Sequence, residues 1–116
     1  MLRSATLMLV ALLLIPPVVA KAGPAEDANA AIDRWSAAYT SNDPDTVVNG
    51  YWPDAILLGT NSPIISQGSD AIRKYFTDLH LKGSGNKNSI QERHTTVVDD
   101  GAVLVTGFYE FIRMDS

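Results

Sequence analysis

The sequence predicts a mixed α+β fold, in which three N-terminal helices pack on a curved antiparallel sheet that is shaped like a cone. Two observations predict this class. Apolar residues in the first part of the chain recur at the helical spacings of three and four. The second part consists of two long extended segments that meet at Asp99-Asp100-Gly101, a strong hairpin turn sequence. A length of 116 residues allows one such domain and leaves no room for a second.

The first twenty-two residues have the parts of a secretory signal peptide. Arg3 supplies a basic start, Ala5–Ala20 carries no charge, and Ala20-Lys21-Ala22 is a small-x-small cleavage sequence. The apolar run has about sixteen residues, fewer than the ~20 that a membrane-spanning helix needs. We therefore expect cleavage after Ala22, a mature domain at residues 23–116, a periplasmic or extracellular location, and no membrane association after cleavage.

Composition excludes several kinds of site. The chain has no cysteine, so disulfides, thiolate zinc sites and cysteine nucleophiles are excluded. Its two histidines, His80 and His94, have no metal-ligand spacing, and we predict neither a metal nor a cofactor. The formal charge is −4, and the mature domain, with seven basic and thirteen acidic residues, has −6. This acidic balance argues against nucleic acid as a partner.

Three helices are predicted. The first spans Glu26–Thr40, the second follows an Asp43 cap with Pro44 in its first position, and the third follows a Ser69 cap and stops at Lys82-Gly83. Each has one apolar face. The apolar faces consist of Ala28, Ile32, Trp35 and Tyr39 in the first helix, Val47, Val48 and Tyr51 in the second, and Ile72, Tyr75, Phe76 and Leu79 in the third.

The remaining segments predict two antiparallel pairs. Ala55–Thr60 is a short apolar strand, and Ile64–Ser66 is its returning partner. After a glycine-rich loop, Ile90–Val98 and Ala102–Arg113 form the long hairpin. Both faces of the last strand carry large apolar side chains, which predicts that the strand is covered on both sides.

Three stretches in this order resemble a known family. They are Tyr51–Ser62, Asp70–Phe76, and the long hairpin with Glu92-Arg93-His94 and Gly107–Phe111. The pattern resembles the nuclear transport factor 2-like superfamily, most closely the SnoaL-like proteins and the association domain of calcium/calmodulin-dependent protein kinase II. The resemblance implies the cone-shaped sheet, an internal pocket closed by the first helix, and self-association as a homo-oligomer, with a dimer expected. The chain contains no kinase domain.

One departure from the family pattern concerns the end of the sheet. The family normally continues with two more antiparallel strands after the second long strand, whereas this sequence stops at Met114-Asp115-Ser116. We therefore expect a domain that lacks its last two strands, either because the chain is a fragment or because another chain completes the sheet. A fragment is the simpler interpretation, since an exposed apolar strand edge promotes aggregation.

Two residues are the candidates for proton chemistry. His94 would act as a general base if its face points into the cone, because its pKa lies near neutrality. Period-2 alternation puts Glu92 on the same face as His94 and Arg93 on the other. Asp54 would serve as a catalytic carboxylate only if burial raised its pKa. The alternatives are a packed or surface histidine and a turn-capping aspartate.

A set of aromatic and hydroxyl side chains forms the candidate ligand pocket. A flat apolar molecule would lie among the rings, with phenol groups fixing its orientation. Ordinary core packing is the alternative for each residue. The set consists of Trp35, Tyr39, Tyr51, Thr60, Tyr75 and Tyr109.

The leading functional hypothesis is a secreted domain that self-associates through its sheet and binds a small apolar molecule. The alternative is an isomerase, cyclase or hydrolase that uses a pocket histidine and a carboxylate, although the fold alone does not imply catalysis. The resemblance extends to steroid isomerases, but Gly59 stands where they place their catalytic carboxylate and Trp35 where they place an oxyanion-binding tyrosine. Isomerase chemistry of that type therefore has no support. A third hypothesis is a purely structural interaction module.

Overall fold

The computed structural model describes residues 21–81 and 86–113. All but the last two residues of the predicted signal peptide lie outside these ranges. The predicted stop of the third helix at Lys82-Gly83 and the last three residues also lie outside them. No helix within the described ranges is long and apolar enough to cross a membrane. The elements in chain order are α1 (Pro24–Thr40), α2 (Pro44–Val48), β1 (Ile56–Leu57), β2 (Ser66–Gln67), α3 (Gly68–Leu81), β3 (Asn86–Asp99) and β4 (Ala102–Arg113).

The predicted α+β class is confirmed. The three helices precede the long hairpin, and α1 packs against both of its strands. The strands form two antiparallel pairs, β1 with β2 and β3 with β4. In the part of the chain that the structure describes, each sheet therefore has two strands.

The first two helices begin where their sequence signals lie. Pro24 occupies the first turn of α1, and Glu26 and Asp27 follow it there, where the helix dipole favours negative charge. Asp43 caps α2, because its Oδ1 accepts a hydrogen bond from the backbone N–H of Asp45 at 3.1 Å. The predicted Asp43 cap is confirmed, and α1 begins two residues before its predicted start at Glu26.

A left-handed asparagine joins α1 to the long hairpin. Asn42 follows the helix with φ 59°, a conformation that asparagine tolerates better than most residues. Its Oδ1 accepts from the backbone N–H of Asn86 at 3.0 Å, and its Nδ2 donates to the Asn86 carbonyl at 3.2 Å. The end of α1 and the start of β3 are thereby held together.

The third helix begins one residue before its predicted cap. Gly68 has φ +80°, and its N–H donates to the carbonyl of Ala55 at 2.9 Å. Glycine adopts this conformation without a steric cost, so Gly68 turns the chain from β2 directly into α3. Ser69 therefore lies inside the helix and is not its cap.

The short hairpin differs from its prediction. Strand β1 has only two residues, and Ile56 and Leu57 pair with Gln67 and Ser66. The returning strand therefore begins at Ser66, not at Ile64. Ile64 and Ile65 are 72% and 62% exposed and lie in the connection.

The core lies where the three helices meet. Its fully buried side chains come from α1, α2 and α3, and partly buried rings surround them. Tyr39 is central, since its ring centroid lies 6.3 Å from that of Phe76 and 4.7 Å from that of Phe111 on β4. The buried side chains of this core are Tyr39, Val47, Val48, Ile72 and Phe76.

The long hairpin contains a bulge that changes which residues face the helix. Ile90 pairs with Tyr109 and Glu92 with Phe108, so Gln91 is an extra residue in β3. Gly107 pairs with Arg93 beside this bulge, and a Cβ atom at Gly107 would overlap the backbone carbonyl of Glu92. Even-numbered residues face α1 before the bulge and odd-numbered ones after it, as the half-buried Ile90 and Arg93 illustrate.

The turn of the hairpin forms at the predicted position, Asp99-Asp100-Gly101. Asp99 pairs with Ala102 across a two-residue turn. Positive φ is not found at Asp100 or Gly101, although it occurs elsewhere in the described chain. The Asp99 Oδ1 instead accepts from the N–H of Gly101 at 2.8 Å, which closes the turn through a side chain.

The two faces of the hairpin differ in their cover. We call the face against α1 the inner face and the other the outer face. On β4 the outer face carries Leu104, Phe108 and Ile112, and Leu104 and Phe108 are 55% and 71% exposed. The prediction that β4 is covered on both sides is therefore wrong within the described chain, because the helices all lie on one side.

Candidate functional site

A cleft of about 600 Å³ lies between α1 and the long hairpin. We call it the aromatic cleft. Its floor comes from the inner face of β3 and β4, and its wall comes from α1 and the segment after α2. The residues whose side chains on the inner face and on the wall line it include Ile32, Trp35, Tyr51, Ile90, Arg93, Val105 and Tyr109.

Two aromatic residues of the cleft are joined by a hydrogen bond. The indole Nε1–H of Trp35 donates to the Tyr51 hydroxyl oxygen at 2.8 Å. Burial raises the pKa of Tyr51 to about 12, and this effect outweighs the opposing effect of the Trp35 hydrogen bond. Tyr51 therefore keeps its proton throughout the physiological pH range.

All four tyrosines of the chain lie near one another. Burial is the main cause that raises the pKa of Tyr39, and the neighbouring phenols of Tyr75 and Tyr109 add to it. The same two phenols add to the rise in the pKa of Tyr51. The predicted aromatic set is thus brought together, although it is divided between two cavities.

The second cavity, of about 690 Å³, lies between α3, the short hairpin and the open end of β3 and β4. Tyr39 and Tyr75 line it, together with charged side chains such as Lys74 and Asp78. Lys74 pairs with Asp78 at 2.7 Å, so these two charges meet each other across one turn of α3. We call this cavity the polar cleft.

Arg93 fastens α1 to the inner face beside the aromatic cleft. Its Nη2 lies 2.6 Å from the Asp33 Oδ1, and its Nη1 donates to the Asn29 carbonyl at 3.2 Å. The hydrogen bond from Arg93 lowers the pKa of the Asp33 carboxyl below its usual value of 3.8. Thr95 completes the cluster with a hydrogen bond to the Asn29 Oδ1 at 3.0 Å.

His94 lies on the outer face of the hairpin. Its Nε2 is 2.7 Å from the Glu92 Oε1, so the predicted pair of neighbours forms. The two side chains are 70% and 55% exposed, and His94 lines neither cleft. The condition for its predicted catalytic role, a face that points into the cone, is not met by this arrangement.

Two further predicted residues lie away from both clefts. Asp54 is exposed in the turn after α2, where the chain enters β1. Thr60 is exposed in the connection between β1 and β2. Neither lines a cavity, and their roles in catalysis and binding stay predictions.

The sequence reasoning missed the polar cluster on α1. Asn29 and Asp33 alternate with the apolar residues of that helix, a pattern that is ordinarily read as a solvated face. Arg93 is the residue that could have indicated this cluster, because a charged side chain on the covered face of a strand needs a partner. The partners of Arg93 were not predictable, because Asn29 and Asp33 lie 64 and 60 positions earlier in the chain.

No metal centre is found in the described ranges, where three or more histidine and carboxylate ligands never come together.

Comparison with known proteins gives a structural relative of this chain. No family model matches the chain, and no curated protein matches it. The chain is similar to a solved structure from Xanthomonas campestris, described as a candidate calcium/calmodulin dependent protein kinase II association domain. The TM-score is 0.69 and the identity 29%, over 82% of this chain and 69% of the other. The fold is nuclear transport factor 2-like.

Within this nuclear transport factor 2-like fold, position 59 has no room for a side chain. A Cβ atom at Gly59 would overlap the ring of Tyr75. The space beside position 59 is filled by a tyrosine ring from α3.

Proposed function

We propose that this chain is a secreted SnoaL-like domain that self-associates through the outer face of its long hairpin and binds a small apolar molecule in the aromatic cleft. Export with cleavage after Ala22 is part of the proposal and rests on the signal-peptide pattern. The relative from Xanthomonas, described as an association domain, supports the self-association.

The outer face of β4 is the observation that carries the proposal. Phe108 is 71% exposed and Leu104 55%, on a face that none of the described helices covers. Large apolar side chains that are exposed together mark interaction surfaces. Strand β4 also pairs only with β3 among the described strands, so its other edge offers backbone groups to a further strand.

The aromatic cleft supports the binding part of the proposal. Its walls are mostly apolar, and its volume of about 600 Å³ lies within the range of small-molecule sites. Trp35, Tyr51 and Tyr109 supply ring faces for a flat molecule.

Sedimentation velocity of residues 23–116 tests the self-association. The wild type should show a concentration-dependent shift from monomer to a dimer or larger species. Phe108→Ser should weaken the association roughly tenfold or more, since a central aromatic side chain often dominates an interface. A wild type that stays monomeric at all concentrations would contradict the proposal.

Ile64→Ser is the matched control. Ile64 is 72% exposed but lies in the short hairpin, off the proposed interface. It should associate like the wild type, whereas equal losses in both variants would indicate nonspecific hydrophobic association.

A further inference from the structure

The Tyr51 hydroxyl accepts one hydrogen bond, whereas its O–H donor is not used by any described residue. Its oxygen accepts from the Trp35 Nε1–H at 2.8 Å. A phenol can accept and also donate. Among the described residues no acceptor is placed to receive the Tyr51 O–H proton, so this proton is available to a molecule in the aromatic cleft.

The surrounding rings hold this donor in place. Trp35 stacks on Tyr39 at a centroid distance of 5.6 Å and an interplanar angle of 27°. Phe76 lies against the Trp35 ring at 6.4 Å and against the Tyr51 ring at 6.1 Å. Because packing fixes both rings, the bond between them orients the phenol before any ligand arrives. A hydrogen bond accepted by a hydroxyl also strengthens the one it donates.

The charges of the cleft favour a neutral ligand. Arg93 and Glu92 are the charged residues that line it. The Arg93 guanidinium is engaged by Asp33 at 2.6 Å and by Asn29, and the Glu92 carboxylate lies 2.7 Å from the His94 Nε2 on the outer face. A carboxylate ligand would therefore enter apolar walls without a free cation, and such burial is costly. A carbonyl oxygen accepts a phenol hydrogen bond without bringing a charge.

From this geometry we infer that the aromatic cleft selects a flat apolar molecule with a carbonyl group, and that the Tyr51 hydroxyl, oriented by Trp35, donates the hydrogen bond that recognises the carbonyl oxygen. The inference rests on the proposed binding function of the cleft and names the class of its ligand. Tyr51 is the specificity-determining residue, and Trp35 is a positioning residue.

A matched pair of probes tests the inference. 2-Acetylnaphthalene and 2-ethylnaphthalene have nearly the same shape, but only the first carries a carbonyl group. Isothermal titration of residues 23–116 should show the ketone binding roughly three- to tenfold more tightly than the hydrocarbon, as expected for one neutral hydrogen bond. In Tyr51→Phe the two probes should bind equally, at the affinity of the hydrocarbon for the wild type.

The possible outcomes separate this inference from the function on which it rests. If both probes bind the wild type equally, the inference is overturned while the cleft remains a binding site. If the preference for the ketone persists in Tyr51→Phe, another donor recognises the carbonyl group and the inference is again overturned. If neither probe binds, the binding proposal fails, and this inference fails with it.

A spectroscopic measurement on the wild type keeps the test independent of how Tyr51→Phe folds. The infrared carbonyl stretch of bound 2-acetylnaphthalene should lie at a lower frequency than in hexane, because a hydrogen bond weakens the C=O bond. An unshifted band would overturn the inference. Trp35→Phe should keep a smaller shift, since the donor remains but is no longer oriented.

Discussion

At the scale of single residues, Gly107 shows how little space the hairpin leaves at its bulge. A Cβ atom at this position would overlap the Glu92 carbonyl. Gly107→Ala should therefore lower the free energy of unfolding by about 2 kcal/mol or more, in the manner of an overpacked core. Urea denaturation measures this loss.

Gly101→Ala is the control for that measurement. A Cβ atom at Gly101 would meet only the Asp99 Oδ1, at the ordinary contact distance of 3.7 Å. Its effect should stay within about 0.5 kcal/mol. Equal effects at the two glycines would mean that lost backbone freedom, and not the close approach at the bulge, determines the result.

The sequence predicted which side chains would line a pocket better than it predicted which of them contact each other. Trp35 and Tyr51 stand out in the sequence, and both line the aromatic cleft. Their mutual hydrogen bond was not predictable, because sixteen residues and a helix boundary separate them. His94 was the strongest candidate for proton chemistry in the sequence. Alternation shows which residues of a strand share a face with His94, but it does not show which face points inward, because that depends on packing.

At the scale of elements, Arg93 connects α1 to β3 through an ion pair whose strength depends on pH. Asp33 has a lowered pKa because Arg93 donates a hydrogen bond to it. A carboxyl whose pKa is lower in the folded state stabilises the fold above its unfolded pKa. That contribution is lost as the pH falls through the folded pKa.

Asp33→Asn tests this connection. The difference in the free energy of unfolding between the wild type and this variant should be present at neutral pH and should close as the pH falls below about 4. Asp100→Asn, at the exposed hairpin turn, controls for the change in net charge. A difference that stays constant down to acid pH would show that the Asp33 charge contributes nothing to the docking of α1.

Elements were predictable where a local signal determines them. The apolar spacing and the Asp43 cap predicted α1 and α2, and β4 has the bounds that its sequence predicted. The short hairpin was misplaced because Ile64 and Ile65 resemble strand residues, whereas only Ser66 and Gln67 pair with β1 before Gly68 turns the chain into α3. The bulge at Gln91 has no sequence signal, since it depends on how the hairpin curves against α1.

At the scale of the whole molecule, self-association and stability should be coupled. If the outer face is an interface, association removes Leu104 and Phe108 from water and favours the folded state by mass action. The Tm of the wild type should therefore rise with protein concentration. The Tm of Phe108→Ser should rise less over the same range of concentrations, and differential scanning calorimetry at several concentrations would distinguish the two.

A concentration-independent Tm in the wild type would contradict that expectation.

The fold class was predictable at this scale, because three amphipathic helices followed by a long hairpin admit few arrangements. The exposure of the outer face was not predictable. The alternation of β4 shows that both of its faces carry apolar residues, but it does not show whether a further helix or sheet packs on each face.

The extra residue at Gln91 has a consequence for how shape and chemistry are encoded in this sheet. Deleting Gln91 would leave Ile90 and Arg93 both on the inner face, because a regular ladder through Ile90, Glu92 and Arg93 restores strict alternation. The deletion would remove only the local bend and added twist that a bulge supplies. The inserted residue therefore supplies curvature without changing whether Ile90 and Arg93 face α1. We expect its deletion to change the shape of the aromatic cleft while these two residues continue to line it.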